Sequence, residues 1–385
     1  MALNCKGLPH SGTADAAISR SLLSCTRDAY DVPGNRDNLS GEEKMPQDKR
    51  IGYAVVGMGA LAEAAILPAF ANSKEARLVA LVSGNAQKAK KLARQFRVKH
   101  TFEYTNFSEC LDRSDIGAVY IATPPGEHEK YTVAAANSGK HVLCEKPLAA
   151  TVAEARSMIH ACRQNNVLLM TAYRKYFEPA SVSLKKMIAD GQMGRIDIIH
   201  TLFSEFRRFG DSSPSWLFSQ KLAGGGPLTD LGVYCLNTSR WLVDEDPIAA
   251  SAISWARDPR LYKEVEEGIA FRLDFSSGLV LQGTAAYSAA FSSFIHLHGE
   301  KGWAELAPAF AFEEERRLSG KIAGRWFAKN FKPMNEFTLE IDYFSKCIRE
   351  NKRPEPDGEQ GLRDLLIIEA IYQAARTGGT TPIHY

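Results

Sequence analysis

The chain has 385 residues, 45% hydrophobic and 24% charged, with a formal net charge of +2. That length suits two domains with a sizeable core, and so small a net charge gives no electrostatic case for a nucleic acid or a membrane as partner. The seven cysteines (Cys5, Cys25, Cys110, Cys144, Cys162, Cys235 and Cys347) form no C-x-x-C pair, which argues against a zinc knuckle or disulfide scaffold and for buried thiols in a reducing compartment. No apolar run reaches the roughly 18 residues that a membrane-spanning helix needs.

Residues 1–49 are polar, with Gly, Ser, Asp and Asn throughout. They carry neither the apolar core of a secretory signal nor a twin arginine, which points to a cytoplasmic protein. The segment reads either as a disordered tail or as an arm that packs on a cofactor or on a second subunit.

Residues 50–172 alternate strand and helix. The run 51–56 is apolar and β-branched, as in a buried parallel strand. It ends in Gly57-Met58-Gly59-Ala60-Leu61-Ala62, a G-x-G-x-x-A turn, and 61–72 then reads as a helix. Strand, glycine turn and helix in that order are the setting of a dinucleotide fingerprint. Gly57 allows the tight turn, Gly59 lets backbone approach a pyrophosphate, and Ala62 lets the helix pack close, while the helix N-terminus offers free N–H groups to phosphate. Further strands are predicted at 77–83, 118–123, 141–144 and 168–173, and helices at 86–96, 127–138 and 151–165. This rhythm predicts a doubly wound parallel sheet, a Rossmann fold, with ligands at the carboxyl ends of its strands, beside Gly57, Ser83, Thr123 and Glu145.

A site for NAD usually carries Asp or Glu after the second strand. Here Ser83-Gly84-Asn85-Ala86-Gln87-Lys88 stand there. A hydroxyl, a glycine and a lysine suit a 2′-phosphate, and so NADP(H); the alternative is a turn followed by a solvated helical lysine. Glu145-Lys146-Pro147 follows the 141–144 strand and puts a cation at the mouth of the cleft, able to polarise a substrate oxygen; otherwise it is a strand-end salt bridge.

Residues 173–385 change character. A helix at 181–190 precedes strands at 196–206, 249–256, 268–275, 280–288 and 294–299, which predict an open, largely antiparallel sheet in a second α/β domain. A breaker stretch, 222–227, opens a helix over 227–243. Asp230, Tyr234 and Asn237 fall at i, i+4 and i+7 on one face, either a polar stripe for a polyol or an ordinary exposed face. His296 and His298 share one side of a strand but lack further ligands, so no metal site is expected. Helices at 337–350 and 361–377 close the chain.

Gly57-x-Gly59-x-x-Ala62, Glu145-Lys146-Pro147, Ala223-Gly224-Gly225-Gly226 and Asp230-x-x-x-Tyr234 together resemble the Gfo/Idh/MocA oxidoreductases and, within them, the glucose-fructose oxidoreductases. The resemblance covers roughly residues 45–385. It implies a Rossmann domain followed by an open α/β domain whose sheet mediates homo-oligomer contacts as dimer or tetramer, a nicotinamide cofactor, and a sugar substrate. It implies that Lys146, Asp230 and Tyr234 are catalytic. It implies cofactor contacts from Gly57, Gly59, Ala62, Ser83, Gly84, Asn85, Lys88, Thr123, Pro124, His128, Glu145, Lys146, Tyr173, Arg174 and Trp216, and substrate contacts from Lys146, Tyr173, Asp230, Tyr234 and Asn237. The glucose-fructose enzymes hold NADP(H) tightly under an N-terminal arm, and residues 45–50 resemble the end of such an arm. Those enzymes have Lys-Tyr where this chain has Ala60-Leu61, and arginine where Leu217 follows Trp216, departures that point toward an exchanging cofactor.

The expected reaction is hydride transfer between a nicotinamide and a sugar carbon, with C1 of a cyclic aldose going to a lactone and a second sugar reduced in return. Tyrosine titrates at about 10 when unperturbed, and Lys146 would help Tyr234 act as the base. Two alternatives stay open: a dehydrogenase of another sugar position or of an inositol, and an NADP-binding regulator without chemistry.

Overall fold

The run Ile51–Val56 forms the first strand, β1, with all but its first residue buried. In this computed structural model, residues 48–207, 214–312 and 314–385 are described. The tail or arm at 1–47 lies outside them. Beside β1 lie β2 (Ala76–Val82), β3 (His100–Phe102), β4 (Ala118–Ile121), β5 (His141–Glu145) and β6 (Leu169–Ala172), all parallel, in the order β3-β2-β1-β4-β5-β6. This is the dinucleotide-binding strand order, and it reverses between β1 and β4, where such sheets open a crevice. The connections include helices α1 (Leu67–Asn72), α2 (Ala86–Gln95), α3 (Phe107–Leu111), α4 (His128–Asn137) and α5 (Val152–Gln164). The predicted 61–72 helix enters through a π-helical turn, Ala62–Ile66, before α1 begins. Helix α5 starts on a reciprocal cap: Thr151 Oγ1 accepts from the Glu154 N–H at 3.2 Å, and the Glu154 carboxylate accepts from the Thr151 N–H at 2.9 Å.

After β6, a turn at Arg174–Phe177 leads to α6 (Pro179–Ala189). The second sheet contains β7 (Ile196–Ser204), β8 (Pro247–Trp255), β9 (Gly268–Phe275), β10 (Val280–Ala286), β11 (Ser292–Gly299), β12 (Gly302–Ala307), β13 (Arg316–Ile322), β14 (Arg325–Phe331) and β15 (Thr381–Pro382). Its order is β14-β13-β12-β11-β7-β10-β9-β8-β15; every pair is antiparallel except β7 with β10. Leu273, Leu281, Ile295, Leu297 and Leu306 line one face and are buried. The short α7 (Gln220–Ala223) ends on Gly224, whose φ of +77° suits glycine alone. Helix α8 (Val233–Val243) packs on β7 and β10, and α10 (Gly358–Thr377) packs on β8, α5 and β6. Helix α9 (Glu336–Glu350) returns to the first sheet, packing on α1 and β2, where Tyr53 and Ser345 hydroxyls bond at 2.9 Å. Residues 48–385 thus form one compact unit on two sheets.

Strands β12 to β14, like the short β3 and β15, have no counterpart among the strands predicted from the sequence. Arg316 sits at an inward position of β13 and breaks the apolar alternation, yet it is fully buried because acids meet it there. β14 is an edge strand with an almost entirely exposed, charged pattern, and such strands lack the signature of a half-buried one. β3 and α3 are too short to show a period.

Candidate active site

The carboxyl end of β1 is shaped for a dinucleotide. Gly57 has φ +99°, and a Cβ there would stand 2.5 Å from the Ala122 carbonyl oxygen at the end of β4. At Gly59 the reverse holds: a Cβ would meet nothing within 4 Å. Gly57 therefore serves the turn itself, and Gly59 leaves open space above the backbone where a pyrophosphate needs close approach. Thr123, next to that crevice, carries a buried Oγ1 with no partner among the described residues. An open cradle and an orphaned hydroxyl at the strand-order reversal fit a bound dinucleotide. We expect Gly59→Val to fold with an unchanged melting temperature and to weaken dinucleotide binding by at least about tenfold, read by calorimetric titration. Unaltered affinity would remove the cradle.

After β2, the Ser83 Oγ accepts from the Asn85 N–H at 3.1 Å, and the Asn85 carboxamide oxygen accepts from the Lys88 N–H at 2.9 Å, capping α2. Gly84 lies against the Tyr104 ring. The Lys88 ammonium pairs with Glu63 at 3.0 Å, half exposed, so it stands at the crevice rim. No carboxylate follows the end of β2.

Lys146 follows β5 and reaches across to the helical segment of the second layer. Its ammonium donates to the Asp230 carbonyl oxygen at 2.7 Å and to Asp230 Oδ1 at 3.1 Å, and lies 4.8 Å from the Tyr234 ring centroid. Asp230 belongs to a π-helical turn, Leu228–Gly232, that precedes α8. Such turns free a backbone carbonyl from the helical ladder, and here that carbonyl is a lysine ligand. The other Asp230 oxygen accepts from the Tyr287 hydroxyl at 3.0 Å and lies 3.7 Å from the Arg207 guanidinium. Burial works to raise the Asp230 carboxyl, but Lys146 and Arg207 outweigh it and hold it below the usual carboxylate range. Burial likewise works to lower Lys146, and Asp230, Tyr234 and Glu145 more than compensate. Lys146 is therefore a lasting cation and Asp230 a lasting anion at neutral pH. Tyr287 and Arg207 were missed in the sequence: both flank Asp230 only through the folding of β7 and β10 ends, and no motif marks them.

Behind Tyr234 stands a row of buried charge supplied by α9. Arg174 Nε donates to the Tyr234 oxygen at 3.2 Å, and its fork also meets Glu336 and the carbonyls of Phe310 (2.7 Å) and Ala311 (3.4 Å). Glu336 also accepts from Lys175 at 3.0 Å and from Arg316. Burial tends to raise the Glu336 carboxyl, and the three cations together push it down. One carboxylate cannot serve three cations: burial, with Arg174 and Arg316 against it, pushes Lys175 down to about 7.

One turn along α9, Glu340 has the opposite fate. Tyr120 donates to Glu145 at 2.8 Å and lies 3.4 Å from Glu340, whose other oxygen has no partner among the described residues. Burial first, and Glu145 second, push Glu340 well above the carboxylate range. A carboxyl raised on folding gives stability that is full below its unfolded pKa and is lost as pH rises through the folded one. Glu340→Gln keeps the neutral shape and cannot ionise. Its melting temperature should match the parent near about pH 4 and exceed it near about pH 9; parallel curves would rule out a neutral Glu340.

Several expected site residues serve elsewhere. His128 is fully buried, with Nε2 at 2.8 Å from the Thr123 carbonyl oxygen and Nδ1 at 3.1 Å from that of Leu148. Burial pushes it down, and the ring lies between the loop after Lys146–Pro147, a cis bond, and the end of β4. Pro124 precedes the turn Pro125–Glu127 beside it. The Asn237 amide, 1% exposed, donates to Asp364 at 2.7 Å and does not reach the cleft. Helix α8 is buried all round, so neither a solvated face nor an open polyol stripe at Asn237 exists. Tyr173 is buried beside the same Asp364, whose charge adds to burial in pushing its phenol up. Arg174 has four of its five N–H donors on protein acceptors. Trp216 is part-buried in the turn Ser215–Phe218. Among the described residues, no group of three or more His, Cys, Asp or Glu is arranged to hold a metal ion.

A glycine cradle at the reversal of a parallel sheet, together with a cluster of lysine, carboxylate and phenol, defines a dinucleotide-dependent oxidoreductase. The chain belongs to the Gfo/Idh/MocA family: residues 51–173 match the oxidoreductase family with NAD-binding Rossmann fold, and 182–305 match the GFO/IDH/MocA C-terminal domain. It is 31% identical to D-xylose 1-dehydrogenase [NADP(+)] of Haloarcula marismortui over 91% of this chain and 98% of that protein. It is 32% identical to levoglucosan dehydrogenase of Pseudarthrobacter phenanthrenivorans over 77% and 86%. The crystal structure of aldose-aldose oxidoreductase from Caulobacter crescentus, complexed with glycerol, superposes with a TM-score of 0.82 at 37% identity, covering 87% of this chain and all (100%) of that one.

Proposed function

We propose that the protein is an NADP(H)-dependent oxidoreductase of sugars that oxidises C1 of a cyclic aldose to a lactone and can reduce a second sugar in return. The carrying observation is the Lys146–Asp230 pair set against the Tyr234 ring. When bound, the nicotinamide supplies or accepts the hydride. The residues of the chain handle the oxygen and its proton. Two of the three Lys146 N–H groups are spent on Asp230, and the third is free for a substrate oxygen. Tyr234 takes the hydroxyl proton in oxidation and returns it in reduction, with Lys146 stabilising negative charge as it develops. Ser83, Gly84, Asn85 and Lys88, with no acid after β2, support a 2′-phosphate; Glu63 would then yield Lys88 to it.

The uncovered face of the second sheet supports a homo-oligomer. Ile198 (40% exposed), Ile253 (67%) and Trp326 (71%) all stand on it, beside His200, His296 and His298. The five described cysteines are all free and buried, which supports a reducing, cytoplasmic setting. Among the described residues, no helix is long and apolar enough to cross a membrane.

The test is to add a panel of aldoses to the protein with NADP⁺ and follow the absorbance of reduced nicotinamide, identifying the product by mass. A lactone from at least one aldose is expected. Binding of NADP⁺ with no turnover on any sugar would overturn the proposal.

A further inference from the structure

The third donor row behind the phenol has a use of its own. Arg174 follows the end of β6 and is buried. Every arm of its guanidinium is engaged: Nε with the Tyr234 oxygen at 3.2 Å, one Nη with Glu336 and Ala311, the other with the Phe310 carbonyl at 2.7 Å. That spends four of its five N–H groups on protein acceptors. It leaves a rigid fork, fixed at two arms by α9 and by the 310–311 backbone, with the remaining arm aimed at one phenol oxygen. The guanidinium carbon is 5.1 Å from the Tyr234 ring centroid, and Lys146 is 4.8 Å from it. Phe203 and Phe310 pack on the same ring, each with centroids 5.8 Å away, so the ring has little freedom to turn.

We propose that Arg174, held by Glu336, is the positioning residue of Tyr234: it accommodates one lone pair of the phenol oxygen, turns the O–H toward the cleft, and stabilises the oxygen while it lacks its proton. This rests on Tyr234 as the acid–base group. An oxygen that accepts from Arg174 Nε must direct its own hydrogen away from that donor. A donor arm that gains strength as its acceptor becomes anionic acts on the transition state more than on the ground state. The surplus of cations around Glu336 makes the idea testable, because removing Arg174 leaves Glu336 still paired with Lys175 and Arg316.

The experiment measures kcat and dinucleotide Kd for Arg174→Met, Arg174→Lys, Tyr234→Phe and the Tyr234→Phe/Arg174→Met double variant, each checked for folding by circular dichroism. Arg174→Met should lower kcat roughly 10- to 100-fold, the size of a hydrogen bond to a charged group, with the dinucleotide Kd nearly unchanged. In the double variant the second substitution should cost less than about twofold beyond Tyr234→Phe, because Arg174 acts only through that oxygen. A merely structural arginine would instead lower both backgrounds by the same factor, and that result overturns the proposal. So does full kcat in Arg174→Met beside an impaired Tyr234→Phe. Arg174→Lys keeps a cation beside Glu336 without the second arm; should Arg174→Met fail to fold, a fall in its kcat supports the proposal and an unchanged kcat overturns it. If Tyr234→Phe itself turns over normally, the acid–base assignment is what fails.

Discussion

Tyr234→Phe is expected to lower kcat by about 10² to 10⁴ while dinucleotide binding and folding survive. The substitution removes one oxygen. The ring keeps its packing between Phe203 and Phe310, and the Lys146 ammonium keeps the face it lies over. Lys146 and Asp230 keep each other, so the charge pattern of the cleft is intact. What is lost is the hydroxyl proposed to move the proton, while the lysine stays charged and the aspartate ionised. Arg174 Nε loses its acceptor, a buried orphan that costs about 1–3 kcal/mol, so a modest fall in melting temperature should accompany the kinetic loss. Steady-state rates on the best aldose, with Kd for NADP⁺ measured alongside, check it. Turnover near the parent's would refute the role of Tyr234.

The second large effect is on stability. Glu336→Gln should destabilise the fold by about 3–5 kcal/mol, the usual result of removing one partner from a buried ionic cluster. The shape is kept, but Arg174, Lys175 and Arg316 then share a buried space with Glu178 alone, which lies 3.8 Å from Arg316. The pH dependence has a definite sign. Lys175 sits near about 7 in the fold against 10.5 for a free lysine, so between those values the unfolded chain binds the extra proton and stability rises with pH. Losing Glu336 removes the charge that favours protonated Lys175, so Glu336→Gln should be hurt more near about pH 6 than near about pH 9. Denaturant titration at both pH values is the measurement. A variant as stable as the parent at both would mean that the carboxylate is not what holds the three cations.

The two predictions differ in how far the sequence foretold them. Tyr234, Asp230 and Lys146 were legible because each sits in a short motif: a dipeptide before proline at a strand end, and a four-residue spacing after a glycine run. The cradle at Gly57 and Gly59 was legible for a similar reason, since a β-branched run, a glycine turn and a helix are adjacent in the chain. Glu336, Glu340, Tyr287 and Arg207 carried no such mark. Asn237 shares the helix spacing of Asp230 and Tyr234, yet a π-helical turn and the burial of α8 bring it against Asp364.

Local order along the chain determined the strands and helices of the first layer, the phosphate-cradling turn, and the three residue types able to run sugar oxidoreduction. The tertiary structure alone decided their company: Asn237 finds Asp364 across 127 residues, and Arg174 finds Glu336 across 162. The reason is physical. Apolar periodicity and turn chemistry act between neighbours and leave a repeating pattern, but a buried polar atom takes whichever partner the packed layers bring within about 3 Å, and nothing in its own stretch of chain records which partner that is.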